Sequence, residues 1–292
     1  MQYIDIEEVA QQSRDISGFI DFLTTNHQFV WATNQNSLQK FCFDRLTPIY
    51  QAAVPTAAGI PVYAFDSIWV ASLSTQSVYR VDADSGQILS IIPTGLADLS
   101  GEFSLAADPN GVWVACANGL ICQIDPVNNR ITHHIQVLAE SYNLCYAFNS
   151  LWLTNPKQNS VQRINPFTKQ VSHCIRVDQQ PWFLCASKQA IWTLNQTYGT
   201  VSQIDPHSNL CIKTIQLPPL AHGDGGDIHA SHGKIWIRST RIPLIEIDEH
   251  SGEILRVFQY GQASGSGAIC TCDHQLWITA HDIDKIWIIP IN

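Results

Sequence analysis

Ser67-Ile68-Trp69-Val70-Ala71-Ser72, then Ser77-Val78-Tyr79-Arg80-Val81, then Gln87-Ile88-Leu89-Ser90-Ile91-Ile92 follow one another with only short polar links between them. Each segment alternates or runs apolar over the length of one strand, so the stretch reads as three successive β-strands. The link Asp82-Ala83-Asp84-Ser85-Gly86 is a tight hairpin. Its Asp accepts hydrogen bonds from the turn backbone, and its Gly supplies a positive φ.

Working outward, the pair Ile68-Trp69 recurs as Val30-Trp31, Val112-Trp113, Leu151-Trp152, Ile191-Trp192, Ile235-Trp236 and Leu276-Trp277. The steps between tryptophans are 38, 44, 39, 40, 44 and 41 residues. A turn residue follows each tryptophan after 12 or 13 positions: Asp44, Asp82, Asp125, Asn165, Asp205, Asp248 and finally Pro290. Repeats of this length that read strand a, tryptophan strand b, strand c, strand d are propeller blades. The reading is an all-β, seven-bladed β-propeller of four-stranded blades, one domain over residues 1–292. The repeated tryptophan is expected to pack between blades, where a large aromatic buries the most surface. The seventh copy ends after strand c, so the N-terminal run Gln2–Val9 is expected to supply its strand d and close the ring.

Composition narrows the function. The formal net charge is −9, from 16 Lys+Arg against 25 Asp+Glu, which argues against nucleic acid and against an anionic membrane surface. No apolar run approaches the roughly 18–20 residues that span a bilayer, and the start has no signal-peptide pattern. Nine cysteines, an odd number set mostly among Ile, Val and Leu, read as buried hydrophobes in a reducing compartment. A cytoplasmic monomer is expected.

The repeats resemble those of the virginiamycin B lyase (streptogramin lyase) group of seven-bladed propellers, whose copies carry Trp-Phe-Thr-Glu followed by Ile-Gly-Arg-Ile and a hairpin. The counterparts here are Leu151-Trp152-Leu153-Thr154-Asn155 with Ser160-Val161-Gln162-Arg163-Ile164-Asn165-Pro166. In the last blade they are Ala268-Ile269-Cys270, Leu276-Trp277-Ile278-Thr279-Ala280 and Asp284-Lys285-Ile286. The resemblance covers residues from about 15 to 292 and implies the architecture. It does not carry the activity over. The slot of the family's general-base histidine falls at Gly267, that of a second histidine at Gly225 or Gly226, and that of a metal-binding glutamate at His281.

In such a fold strand a lines the central channel, and ligands bind where loops converge at its open end. Ten residues before each tryptophan lies the mouth of strand a: Asp21, Gly59, Phe103, Tyr142, Trp182, Gly226 and Gly267. Phe103, Tyr142 and Trp182 form either an apolar wall for a planar ligand or a plug of the channel. Glu102 is the carboxylate beside that wall. Asn155 and Asn195, three residues after their tryptophans, either donate into the channel or satisfy loop backbone. Opposite the aromatics lies His222-Gly223-Asp224-Gly225-Gly226-Asp227-Ile228-His229-Ala230-Ser231-His232. In an acid–base reading His229 or His281 moves a proton, oriented by Asp227 or Asp224. A divalent metal is the one cofactor the segment suggests, through His222, Asp224 and His229. A polar inter-blade loop is the plainer alternative.

Two functions follow. One is a lyase- or cyclase-type enzyme acting on a small or macrocyclic organic substrate at the channel mouth. No P-loop, dinucleotide-binding or nucleophile-elbow motif is present, so acid–base elimination, cyclisation or isomerisation is the expected chemistry. The other is a non-catalytic scaffold whose loop-rich face grips a peptide or protein.

Overall fold

Every tryptophan-marked segment becomes the second strand of an antiparallel sheet in the computed structural model, which describes residues 1–94, 104–116, 118–221, 223, 225–261 and 265–291. Blade 4 shows the unit. Leu144–Ala147, Ser150–Asn155, Ser160–Asn165 and Gln170–Arg176 pair in that order, from the channel to the rim. Seven such sheets stand side by side, and the innermost strand of each contacts its counterpart in the next blade. Strands c and d slip register at the same place in six blades, at Lys40/Phe41, Arg80/Val81, Gln123/Ile124, Arg163/Ile164, Gln203/Ile204 and Glu246/Ile247. A bulge there adds twist to the outer half of the blade.

The blade faces are apolar because each packs against a neighbour. All seven repeat tryptophans are fully buried, at 0–1% exposure. Each joins the apolar side chains of the following blade. Trp69 lies with Leu105, Val112 and Val114, and Trp152 with Leu184, Ile191 and Ile204. Trp277 meets Phe41 edge-on at 5.8 Å, carrying the contact from the last blade to the first. Five of the seven indole N–H groups are satisfied within their own blade; Trp69 and Trp152, for example, donate to the carbonyls of Ala64 and Ala147, five residues upstream.

The Asp-Pro hairpins fasten blades together. The Arg80 guanidinium lies over Trp69 and donates to the Pro126 carbonyl and to Asn129 Oδ1 in the next hairpin. Arg163 repeats this over Trp152, donating to Pro206 and Asn209. Lys40 donates to the carbonyls of Ala83 and Asp84 in the same sense.

An N-terminal strand does close the last blade, but it is Gln12–Asp15, antiparallel to Lys285–Pro290, rather than the expected 2–9. Gln2–Asp5 instead pairs parallel with Ile254–Gln259 and gives blade 6 a fifth strand. The helical turn Ile6–Val9, capped by the Asp5 side chain on the Glu7 N–H, carries the chain from one blade to the other. Ile6 is fully buried there, and Glu7 accepts from Trp287 Nε1 at 2.9 Å and pairs with Lys285 at 3.0 Å. Polar Gln12 and Arg14 hid this strand from the sequence, since an edge strand on the rim has little apolar surface to bury. The cysteines also divide: Cys116, Cys122, Cys270 and Cys272 are buried, but Cys174 is exposed on an outer strand. No helix among the described residues is long and apolar enough to cross a membrane.

Candidate functional site

The strand-a starts of blades 1, 4, 5 and 6, with the b-strand end of blade 7, enclose a cavity of about 410 Å3. Asp21, Phe22, Tyr142, Trp182, Gln196 and His281 are among the residues that line it. Tyr142 stands edge-on to Trp182 at 4.8 Å and to Phe183 at 5.6 Å. Phe22 reaches toward Phe183 from the other side at 6.2 Å. Tyr142 and Trp182 therefore form part of a wall around open space. Glu102, Phe103, His222 and Asp224 lie outside the described residues.

His281 enters this cavity at the end of the Trp277 strand. Its Nδ1 is 3.0 Å from Asp21 Oδ1, and its Nε2 is 3.2 Å from Asp282 Oδ1. Phe19 stacks on the ring at 4.0 Å. Burial disfavours the imidazolium, but the bond to Asp21 and the charges of Asp21 and Asp282 outweigh that penalty and the repulsion of Arg238. The pKa of His281 is therefore raised above its ordinary value. Asp21 is buried and Asp282 half-exposed, so one carboxylate is fixed and the other stands at the lip.

Arg238 is close enough to the pair to feel the charges of Asp21 and Asp282. It is fully buried, and it donates to the carbonyls of Thr279, Ser239, Ile242 and Gly265, binding blade 6 to blade 7 and to the lip. Burial pushes its pKa down to about 9, against the pull of Asp282 and Asp21, so it stays charged at neutral pH.

The glycines at this mouth have a steric cause. A Cβ on Gly226 would collide with the Arg238 carbonyl oxygen, and one on Gly267 with the Thr279 carbonyl oxygen. Gly226 also sits at φ +129°, which L side chains rarely adopt.

Three residues expected at the site serve the scaffold instead. Asp227 Oδ1 accepts from the Ile228 N–H, and Oδ2 from the Ile269 N–H of the next blade at 3.0 Å. The same inter-blade latch recurs where Asn143 accepts from the Leu184 N–H and Ser104 Oγ from the Leu144 N–H. Asn155 donates to the Ala139 carbonyl and Ser141 Oγ and accepts from the Gln158 N–H. Asn195 is held by Thr193, Thr200 and Ser202. Both asparagines are completely buried and neither lines the cavity. Backbone N–H groups claim the Asp227 carboxylate and the Asn155 side-chain carbonyl, and neighbouring hydroxyls claim Asn195.

His229 is placed away from His281. It lines a second cavity, of about 390 Å3, near the far ends of the inner strands, with Cys145, Cys185 and Cys270. All four lie seven residues before their tryptophans, on four consecutive blades. Burial and the neighbouring His232 push the His229 pKa down to about 4, so the ring is neutral at pH 7. Burial raises the Cys145 thiol to about 12 and lifts Cys185 and Cys270 well above their ordinary value, so these thiols stay protonated. Among the described residues no group of three or more His, Cys, Asp or Glu side chains could hold a metal ion.

The sequence missed Asp21 as the partner of His281, although Asp21 is the one carboxylate in the ring of mouth positions. Gln196 and Arg238 carried no signal, because each gains its meaning only from a neighbouring blade.

No family model and no curated protein matches the chain. Solved structures do. A selenomethionine-substituted virginiamycin B lyase from Staphylococcus aureus is 16% identical, with TM-score 0.80, over 96% of this chain and 99% of that one. A catalytically inactive form of that lyase with quinupristin matches at TM-score 0.82 and 16% identity, over the same shares of the two chains. The WD40 domain of Neurospora crassa Pan2 is 12% identical, with TM-score 0.74, over 93% and 88% of the two chains. At such identities the likeness establishes the propeller fold alone.

Proposed function

We propose that this propeller binds a small organic molecule in the mouth cavity and acts on it by acid–base chemistry of the lyase or cyclase type, with His281 as the proton carrier and Asp21 as its orienter. The observation that carries this reading is the buried Asp21–His281 pair opening on a cavity walled by Tyr142 and Trp182. A carboxylate on Nδ1 fixes the ring and leaves Nε2 as the working nitrogen. The raised pKa strengthens His281 as a proton acceptor, and the imidazolium formed can return the proton. Asp282 covers Nε2 from the half-exposed lip, so a ligand entering the cavity would displace it. The similar fold of a lyase described with quinupristin is consistent with a ligand at this kind of scaffold. This reading assigns no role to His229, which lines the second cavity.

The test is turnover of a library of small aromatic and macrocyclic carbonyl compounds, followed by mass spectrometry. Conversion by the native protein that is lost in His281→Gln and Asp21→Asn, with binding retained, supports the reading. Binding without conversion of any compound would remove the catalytic half and leave a binding propeller. Capture of a peptide at this face, with no small ligand bound, would favour the scaffold.

A further inference from the structure

Two residues of the cavity wall hold a buried hydrogen-bond donor with no acceptor among the described residues. Trp182 Nε1 and Gln196 Nε2 are both buried, and neither has a partner among the described residues. Both residues line the mouth cavity. Buried polar groups are nearly always paired, so two unpaired donors in one wall call for an explanation. Trp31 and Trp277 also leave their indole nitrogens unpaired, but neither lines this cavity.

The backbones that carry both donors are anchored. Gln196 is 4% exposed; its backbone N–H donates to the Gln180 carbonyl and its backbone carbonyl accepts from the Gly223 N–H. The Trp182 carbonyl accepts from Thr154 Oγ1 at 3.0 Å, and its ring is braced edge-on by Tyr142. Neither nitrogen is exposed to the cavity, so an acceptor that arrives with the ligand must uncover them as it seats.

We propose that Trp182 and Gln196 are specificity-determining residues that receive an oxygen acceptor, a carbonyl or carboxylate carried on a planar ring. This rests on the reading of the mouth cavity as the ligand site. The ring lies against Tyr142 and Phe183, where offset and edge-on aromatic contacts are favourable. The oxygen points to the two N–H groups, away from the Asp21 carboxylate, which would repel it. A ligand without the acceptor leaves both donors buried and unpaired, and is rejected for that reason.

The experiment is an amide and indole NMR titration of the full chain with three matched probes: indole-3-carboxamide, indole-3-carboxylate and 3-methylindole. The expected result is that at least one acceptor-bearing probe shifts the Trp182 indole and Gln196 amide signals together. 3-Methylindole should bind about tenfold more weakly or not at all. Gln196→Leu should lower affinity for the acceptor-bearing probe about tenfold and leave 3-methylindole unchanged. Response to the carboxamide alone assigns a neutral carbonyl, and to the carboxylate alone an anion; both support the pair. Equal binding of all three probes overturns it. Shifts of His281 without Trp182 and Gln196 overturn the donor assignment while leaving the cavity as a ligand site. No shift of any of the three residues overturns both.

Discussion

His281 Nδ1 lies 3.0 Å from Asp21 Oδ1, a contact that joins the last blade to the first across 260 residues of chain. It places a titratable group at the seam of the ring and makes the pH behaviour of the fold informative. The folded pKa of His281 is raised, so its contribution to stability is fully present below the unfolded value of about 6.5 and is lost as pH rises through the folded pKa. Thermal unfolding should lose that contribution on the alkaline side, and His281→Gln should remove this part of the pH dependence. An NMR titration should place the His281 midpoint above 6.5 in the native protein and lower in Asp21→Asn.

His229 should behave in the opposite way. Its folded pKa is near 4, so the unfolded chain binds the proton first as pH falls. The contribution is present above about 6.5 and is lost progressively as pH falls toward 4. Its ring signals should stay those of a neutral imidazole at pH 6, whereas His281 is charged there.

Asp227 is expected to matter for stability. Asp227→Ala strands the N–H groups of Ile228 and Ile269, which should cost about 2–3 kcal/mol by denaturant unfolding. Asp227→Asn keeps one side-chain acceptor and should cost less. Loss of turnover in Asp227→Asn with unchanged stability would return Asp227 to the catalytic role given up above.

Gly267→Ala should destabilise the protein by about 1–3 kcal/mol, because the new Cβ meets the Thr279 carbonyl oxygen. The same argument makes Gly267→His a poor route to the lyase group's histidine at this slot, and unfolding curves of the two variants check it.

The two N-terminal strands should separate by deletion. Removing residues 1–5 strips the fifth strand from blade 6 and should lower the melting temperature modestly. Removing residues 1–15 also takes away Ile6, the Glu7 contacts to Trp287 and Lys285, and the closing strand, and should lower it several times further. Burial works against the Glu7 charge, but hydrogen bonds from Trp287, Lys285 and Ser13 hold its carboxyl below the usual range. Its contribution is therefore present above about pH 4.5 and is lost as pH falls through the lowered value.

The architecture was legible because it is written seven times. Trp31 through Trp277 bury the same surface against the same neighbour, and the Asp82-type turns repeat with them. The site was legible only in part. Tyr142 and Trp182 could be placed by counting back from their tryptophans, and His281 by counting forward. Asp21 could be placed at the mouth by the same count but not paired with His281, and Gln196 and Arg238 could not be placed, because these contacts cross blade boundaries that a linear chain does not display. Asp227, Asn155 and Asn195 misled because short polar side chains near strand ends look alike whether they face a ligand, a backbone N–H or a neighbouring hydroxyl. The closing strand was misplaced because Gln2–Asp5 and Gln12–Asp15 both end as strands, and only pairing distinguishes their partners.

The central claim is that the mouth cavity between Trp182 and His281 is where this protein takes its ligand. Crystals of the native chain soaked with a library of planar carbonyl fragments test it most directly. The account expects fragment density in that cavity, with oxygen within hydrogen-bond reach of Trp182 Nε1 and Gln196 Nε2 and with His281 exposed to the fragment. Fragments found only in the second cavity beside His229, or only on the outer rim, would contradict it.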